Sequence, residues 1–287
     1  MKKIILFVVL CFVLCNAKTE AQFGGGDGLS KATAYEIHNI THLQYLADMV
    51  NATSSPNWSS GLFFIVMDDI DDPMTDIIGR VGTTYTSNFE GSFDGNNKRI
   101  NLAITNSTIH TGLFGVISAN AIEIKNIIVY GSVAGAMSVG GIAGMSYIPI
   151  TNCVNAASIQ GTVMVGGILG QLRPDFGSFM ANCVNVGRIN GTQIVGGIVG
   201  SVYNGGPVNT WNITNCINYG YVRGNAWYAG GIIGHSGHLS PQTISNCVNT
   251  SVIEWNNSVS CIVGSQNDWP MNIINCWWDK QLCPHDN

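Results

Sequence analysis

Apolar residues, mostly Val and Ile, come in runs of four to six along most of this chain, and Gly or Asn closes each run. Short β-branched runs with Gly and Asn punctuation are strand and turn signals, and strong helix formers are scarce among them. One stretch departs from the pattern. In "NITHLQYLADMVN", Thr41 and Gln44 fit a capping box, Ile40 and Tyr45 a hydrophobic staple, and Leu43, Leu46, Ala47 and Val50 an apolar stripe. The sequence therefore predicts one amphipathic helix ahead of many short strands.

The strand runs repeat. Asn126–Gly144 reads "NIIVYGSVAGAMSVGGIAG" and Asn152–Gly170 reads "NCVNAASIQGTVMVGGILG". Related units begin at Asn182, Asn215 and Asn246, and a sixth starts at Asn275 and stops; the starts are 26, 30, 33, 31 and 29 residues apart. A period near 30 with strand-length runs indicates an all-β parallel β-helix, each coil stacking on the last. Asn and Gly at fixed offsets are expected at corners needing φ > 0. The run "VGGIVG" is then a corner and a strand. A phosphate loop would need a following helix and usually a Lys, and neither follows. The helix would close the open N-terminal end.

Chemistry is sparse. The net charge is -5, and from Asn126 to Ser265 only Arg173, Asp175, Arg188, Arg223 and Glu254 are charged. Without a basic patch, nucleic acid is not expected as a partner. The opening "MKKIILFVVLCFVLCNAKTEA" has a basic start, a short apolar core and a small-residue exit, so it reads as a signal peptide over 1–21, cut near Ala21. Export, to the surface or beyond, follows as an expectation. No later segment is apolar enough to span a membrane, and a monomer is expected. Cap and first coils are assigned to 22–110 and the repeat coils with a C-terminal cap to 111–287.

Seven cysteines lie beyond the leader. Cys153, Cys183, Cys216, Cys247 and Cys276 share one slot, filled in the first unit by Ile127, and are read as a buried ladder of free thiols. Cys261 replaces the second glycine of its unit, and Cys276 with Cys283 is a candidate bridge at the C-terminus.

Between the units lie less regular segments, where insertions on one side of a solenoid commonly carry binding. Tryptophans gather in this half of the chain, Trp58 alone lying earlier. Tyr203, Trp211, Trp227, Tyr228 and Trp269, among Asn, Ser and Thr, suit a neutral glycan: rings stack on the sugar's apolar face and amides meet its hydroxyls. Trp277 and Trp278 are expected to close the C-terminal end. Asp68, Asp69, Asp71 and Asp72 are weak candidates for Ca²⁺, though such a run is usually a solvated strand end. His235 and His238 are spaced for a metal but lack a nearby third ligand. No metal or cofactor is expected. Catalysis would need convergent carboxylates, and Asp175 and Glu254 are too scattered to supply them.

The segments "GGGDGLSKATAYEI", "LQYLADMVN", "NFEGSFDGNNKRINLAI" and "TGLFGVISANAIEIKNIIVYGSVAG", with the following "VGGIAG" copies, resemble the GLUG-repeat proteins, exported and surface proteins of Bacteroidetes and other host-associated microbes. The resemblance covers nearly all of the chain beyond the leader. It implies a right-handed β-helix of adhesin type that binds a glycan or a surface protein, or else serves as a structural stalk. GLUG repeats also accompany IgA-specific metallopeptidase domains, but "HExxH" is missing from this sequence.

Overall fold

The computed structural model describes residues 22–52, 57–79, 87–107, 109–173, 179–203, 211–225, 227–237, 242–255, 258–266 and 271–283. The leader lies outside these residues. Among them the strands form four sheets, of nine, twelve, six and four strands, paired in parallel from coil to coil. This is a parallel β-solenoid. One coil shows the path. Ile150–Thr151 lies in the nine-stranded sheet, Val154–Asn155 and Ser158–Gln160 in the twelve-stranded, Met164–Gly166 in the four-stranded and Leu169–Leu172 in the six-stranded. Phe179–Ala181 then opens the next coil. The intervals between sequence units thus contain strands at both ends. No helix among the described residues is long and apolar enough to cross a membrane.

Alternate residues of each strand point inward and stack on their counterparts. Ile124, Ile150, Met180, Ile213 and Ile244 form one such column, each at most 1% exposed. Burying a side chain of this size stabilises by about 1.5–3 kcal/mol, so a charge-poor chain is held by its interior.

The corners separate two kinds of residue. Asn126, Asn152, Asn182, Asn215, Asn246 and Asn275 open the units and all have φ between 51° and 57°. Asn tolerates this region because its short polar side chain bonds locally. Here the carboxamides also bond to one another: Nδ2 of Asn182 donates to Oδ1 of Asn152 (2.9 Å), and Nδ2 of Asn215 to Oδ1 of Asn182 (3.1 Å). The repeat glycines are a correction to the expectation. Left-handed φ occurs at Gly26, Gly28, Gly61, Gly79 and Gly131, not in the "VGG" runs. There the constraint is space: a Cβ on Gly197 would overlap the Gly231 carbonyl and the Asn218 carboxamide.

That carboxamide belongs to a second, interior ladder. Asn155, Asn185, Asn218 and Asn249 are fully buried. Nδ2 of Asn155, Asn185 and Asn218 donates to Oδ1 of the next rung, at 2.8, 2.8 and 2.9 Å. The Oδ1 of Asn155, Asn185 and Asn218 also accepts from the backbone N–H two residues on. A buried amide left unpaired costs about 1–3 kcal/mol. Stacking like on like removes that cost at every rung but the last, where Asn249 Nδ2 has no hydrogen-bond partner among the described residues. Cys153, Cys183, Cys216 and Cys247 are buried and free, with Cys276 half-buried at the end of the column. Their thiols contact neighbouring rungs. Burial first raises the pKa of Cys183, and contact with Cys216 pushes that of Cys247 up to about 12.

The two ends are closed differently. Helix α1 (Ile40–Ala52) buries Leu43, Leu46, Ala47 and Val50. Its cap is Asn39, whose Oδ1 accepts from the His42 N–H at 3.1 Å, so Thr41 lies within the first turn and caps nothing. His42 replaces the expected glutamine: its Nδ1 accepts from the His38 N–H at 3.2 Å. At the other end Cys283 pairs with Cys261, not with Cys276. Glycine is needed at this slot where a further coil stacks above it, as Gly231 meets the Cys261 carbonyl. Cys261 occupies the slot in the last unit and receives the C-terminal segment instead.

Candidate ligand-binding surface

The six-stranded sheet delivers the chain to the inter-coil loops. Tyr147, Arg173, Tyr203 and Gly237 follow its strands in register, each backbone N–H bonding the carbonyl of the coil before. Tyr147, Arg173 and Tyr203 therefore form one outward column. The Arg173 guanidinium sits 5.5 Å from the Tyr147 ring centroid, a cation–π contact of about 0.5–1 kcal/mol at an exposed site. Tyr203 continues the column with 46% of its surface exposed. Phe179, which leaves the same loop side, is 49% exposed.

The other expected rings divide. Trp227 is 52% exposed. Tyr228 is half-buried and stacks on His235 at 5.1 Å, so one ring face is occupied. Trp211 corrects the expectation: it is 0% exposed. It lies two residues before inward Ile213, so the strand's alternation turns it into the core. A Trp211 ring cannot stack on a ligand. Trp269 lies outside the described residues. Trp277 also departs from expectation, being 70% exposed, whereas Trp278 packs against the core.

The four aspartates do not converge. Asp68 meets His38 Nδ1 at 2.6 Å, Asp69 pairs with Arg99 Nε at 3.0 Å, and Asp71 accepts from the Tyr130 hydroxyl at 2.8 Å. These bonds hold the Asp69 carboxyl below its ordinary pKa, first through the Arg99 backbone N–H. They raise His38, first through Asp68 and then Glu36. Asp69 and Asp71 share the Arg99 guanidinium, at 3.0 and 3.8 Å, and Asp68 turns to His38, so a bound cation would be poorly surrounded. His235 is pushed down in pKa by burial, and His238 lies outside the described residues. Asp175 does too, while Glu254 faces Arg223 at 3.8 Å across coils.

A third surface escaped sequence reasoning. On the outer face of the twelve-stranded sheet, Val184, Ile217, Val248 and Trp277 stand in register. The next column outward includes Val186 at 49% and Tyr219 at 54% exposure. Its signal was present, as an apolar residue two and often four positions after each corner asparagine.

No protein-family model matches the sequence, and no curated protein sequence matches it. Among solved structures the chain is similar to a proposed immunoglobulin A1 protease from Bacteroides ovatus, with TM-score 0.70 and 21% identity over 90% of this chain and 78% of that one. At that identity the likeness speaks for the fold: a parallel β-solenoid whose coils run through nearly the whole match.

Proposed function

We propose that this is an exported, GLUG-type β-helix that binds rather than catalyses, with a neutral glycan as its first-choice ligand at the loop side. The observation that carries the reading is the Tyr147–Arg173–Tyr203 column, which ends in an exposed ring among few charges. An exposed aromatic on a rigid coil end is a low-entropy platform for a sugar's apolar face. The disulfide between Cys261 and Cys283 is in keeping with an oxidising compartment. The similar fold from Bacteroides ovatus carries a protease name, but the zincin signature is missing from this sequence. A structural stalk is the second reading, and burial of Trp211 favours it.

A glycan and mucin array separates the two. The chain from Gln22 onward is expected to bind neutral glycans, and Tyr203→Ala to weaken that binding about tenfold without changing the circular dichroism. Added EGTA should change nothing, because the Asp68, Asp69 and Asp71 carboxylates already have protein partners. A blank array from folded protein contradicts glycan binding and leaves the stalk.

A further inference from the structure

We infer that the outer face of the twelve-stranded sheet is a separate binding surface, shaped for a linear neutral polysaccharide lying along the solenoid axis. It does not rest on the loop-side reading, because the loops leave from the six-stranded sheet and return to the nine-stranded one.

Each repeat coil presents the same row outward: a corner asparagine, then an apolar residue two positions on, with an inward residue between them that is Ile127 in the first unit and cysteine in the others. Successive rows are one strand spacing apart, about 4.8 Å. An extended β-1,4-linked chain advances by about the same distance per sugar, so a polymer along the axis meets an equivalent row at each residue.

The chemistry of the rows fits such a chain. Val184, Ile217 and Val248 make a half-buried aliphatic floor, and Tyr219 rises beside it at 54% exposure. Contiguous exposed apolar surface commonly marks a binding site. Sugar rings offer apolar C–H faces to such a floor, and their equatorial hydroxyls point to its edges. One edge is the exposed asparagine ladder. Asn182 spends one N–H on Asn152 and accepts one from Asn215. An amide has two donors and two lone pairs, so one N–H of Asn182 stays outside the ladder and available to a hydroxyl.

Charge selects the partner further. The floor column from Ile128 to Val248 and the column from Tyr130 to Thr250 contain no charged residue. Arg188, in the next column, is stacked 4.7 Å from the Tyr221 ring. A polyanion would find no row of cations, whereas a neutral polymer loses no charge hydration on docking.

The test is calorimetric titration of the chain from Gln22 onward with cellohexaose, xylohexaose and mannohexaose, and with hexagalacturonate as the charged probe. At least one neutral hexasaccharide should bind, and hexagalacturonate should not. Tyr219→Ala should weaken binding about tenfold. Asn182→Gly, which keeps the positive φ, should weaken it severalfold with the fold intact. Three results overturn the inference. One is no binding of any neutral probe. Another is binding that Tyr203→Ala abolishes while Tyr219→Ala spares it, which would locate the sugar at the loops instead. The last is a wild-type dimer in light scattering that Val186→Asp dissociates, which would make the face a contact between copies.

Discussion

The first coils and the repeat coils share sheets but are held together by different chemistry. In the first coils Phe64, Phe89, Phe93 and Phe114 touch in sequence, with ring centroids 5.0–6.4 Å apart. Outside them Lys31 and Lys125 both reach Glu123 at 2.9 Å, and Arg99 meets Asp69. In the repeat coils the interior column is an amide and thiol ladder, and one ion pair, Arg223 with Glu254, links described residues across coils. The difference follows from repetition. An asparagine is satisfied by its counterpart only if the neighbouring coil carries the same residue in the same slot, since each amide must both give and receive. Where neighbouring coils differ, as below Val129, a mixed apolar core and surface charge replace the ladder. Identical units therefore stack with scarcely any charge, and dissimilar ones need shape-fitted rings.

The largest break within the repeat coils is expected from Asn185→Ala. It leaves Asn155 Nδ2 without its ladder acceptor and the Gly187 N–H without its side-chain partner. The loss should be about 3 kcal/mol in urea unfolding, comparable to about 4 kcal/mol for Phe114→Ala among the rings. A loss below 1 kcal/mol at Asn185 would mean that the ladder is incidental. A smaller effect sharpens the corner. Asn182→Ala should cost about 1 kcal/mol through its φ of 57°, while Asn182→Gly should cost little; equal costs for both would refute the backbone argument.

The smallest effect concerns the cap. Bonds to Asp68 and Glu36 raise the His38 pKa above its unfolded value. Its contribution is therefore full below about pH 6.5 and is lost as pH rises through the higher folded value. His42 works in the opposite sense, because burial lowers its pKa: its contribution is full above the unfolded value and is lost as pH falls. The His38 imidazole should titrate above His42 by NMR, and His38→Ala should flatten the alkaline loss of protection in helix α1. An unchanged His38 titration in Asp68→Asn would contradict the pairing.

Much of this was legible in the chain. The corner asparagines, the cysteine slot and the apolar stripe of helix α1 followed from spacing alone, because repetition forces equal offsets into equal places. The interior asparagines were not seen, although Asn185 stands two residues from inward Cys183 and shares its phase. Polarity argues for the surface, and only the matched residue in the neighbouring coil reverses that preference. Trp211 was misplaced for a related reason. A ring following Gly, Pro and Asn reads as a loop residue, but its direction is set by the strand it enters. The Cys261–Cys283 bridge depends on how the C-terminal turn folds over the last coil, and spacing carries no such information.

The most direct test of the ladder account is hydrogen exchange of asparagine side-chain amides, followed by NMR on the chain from Gln22 onward. The Nδ2 protons of Asn155, Asn185 and Asn218 should be protected as well as the core backbone amides, and those of exposed Asn182 should exchange far faster. Interior amides that exchange as quickly as Asn182 would contradict a closed ladder, and with it the reason why coils so poor in charge stay stacked.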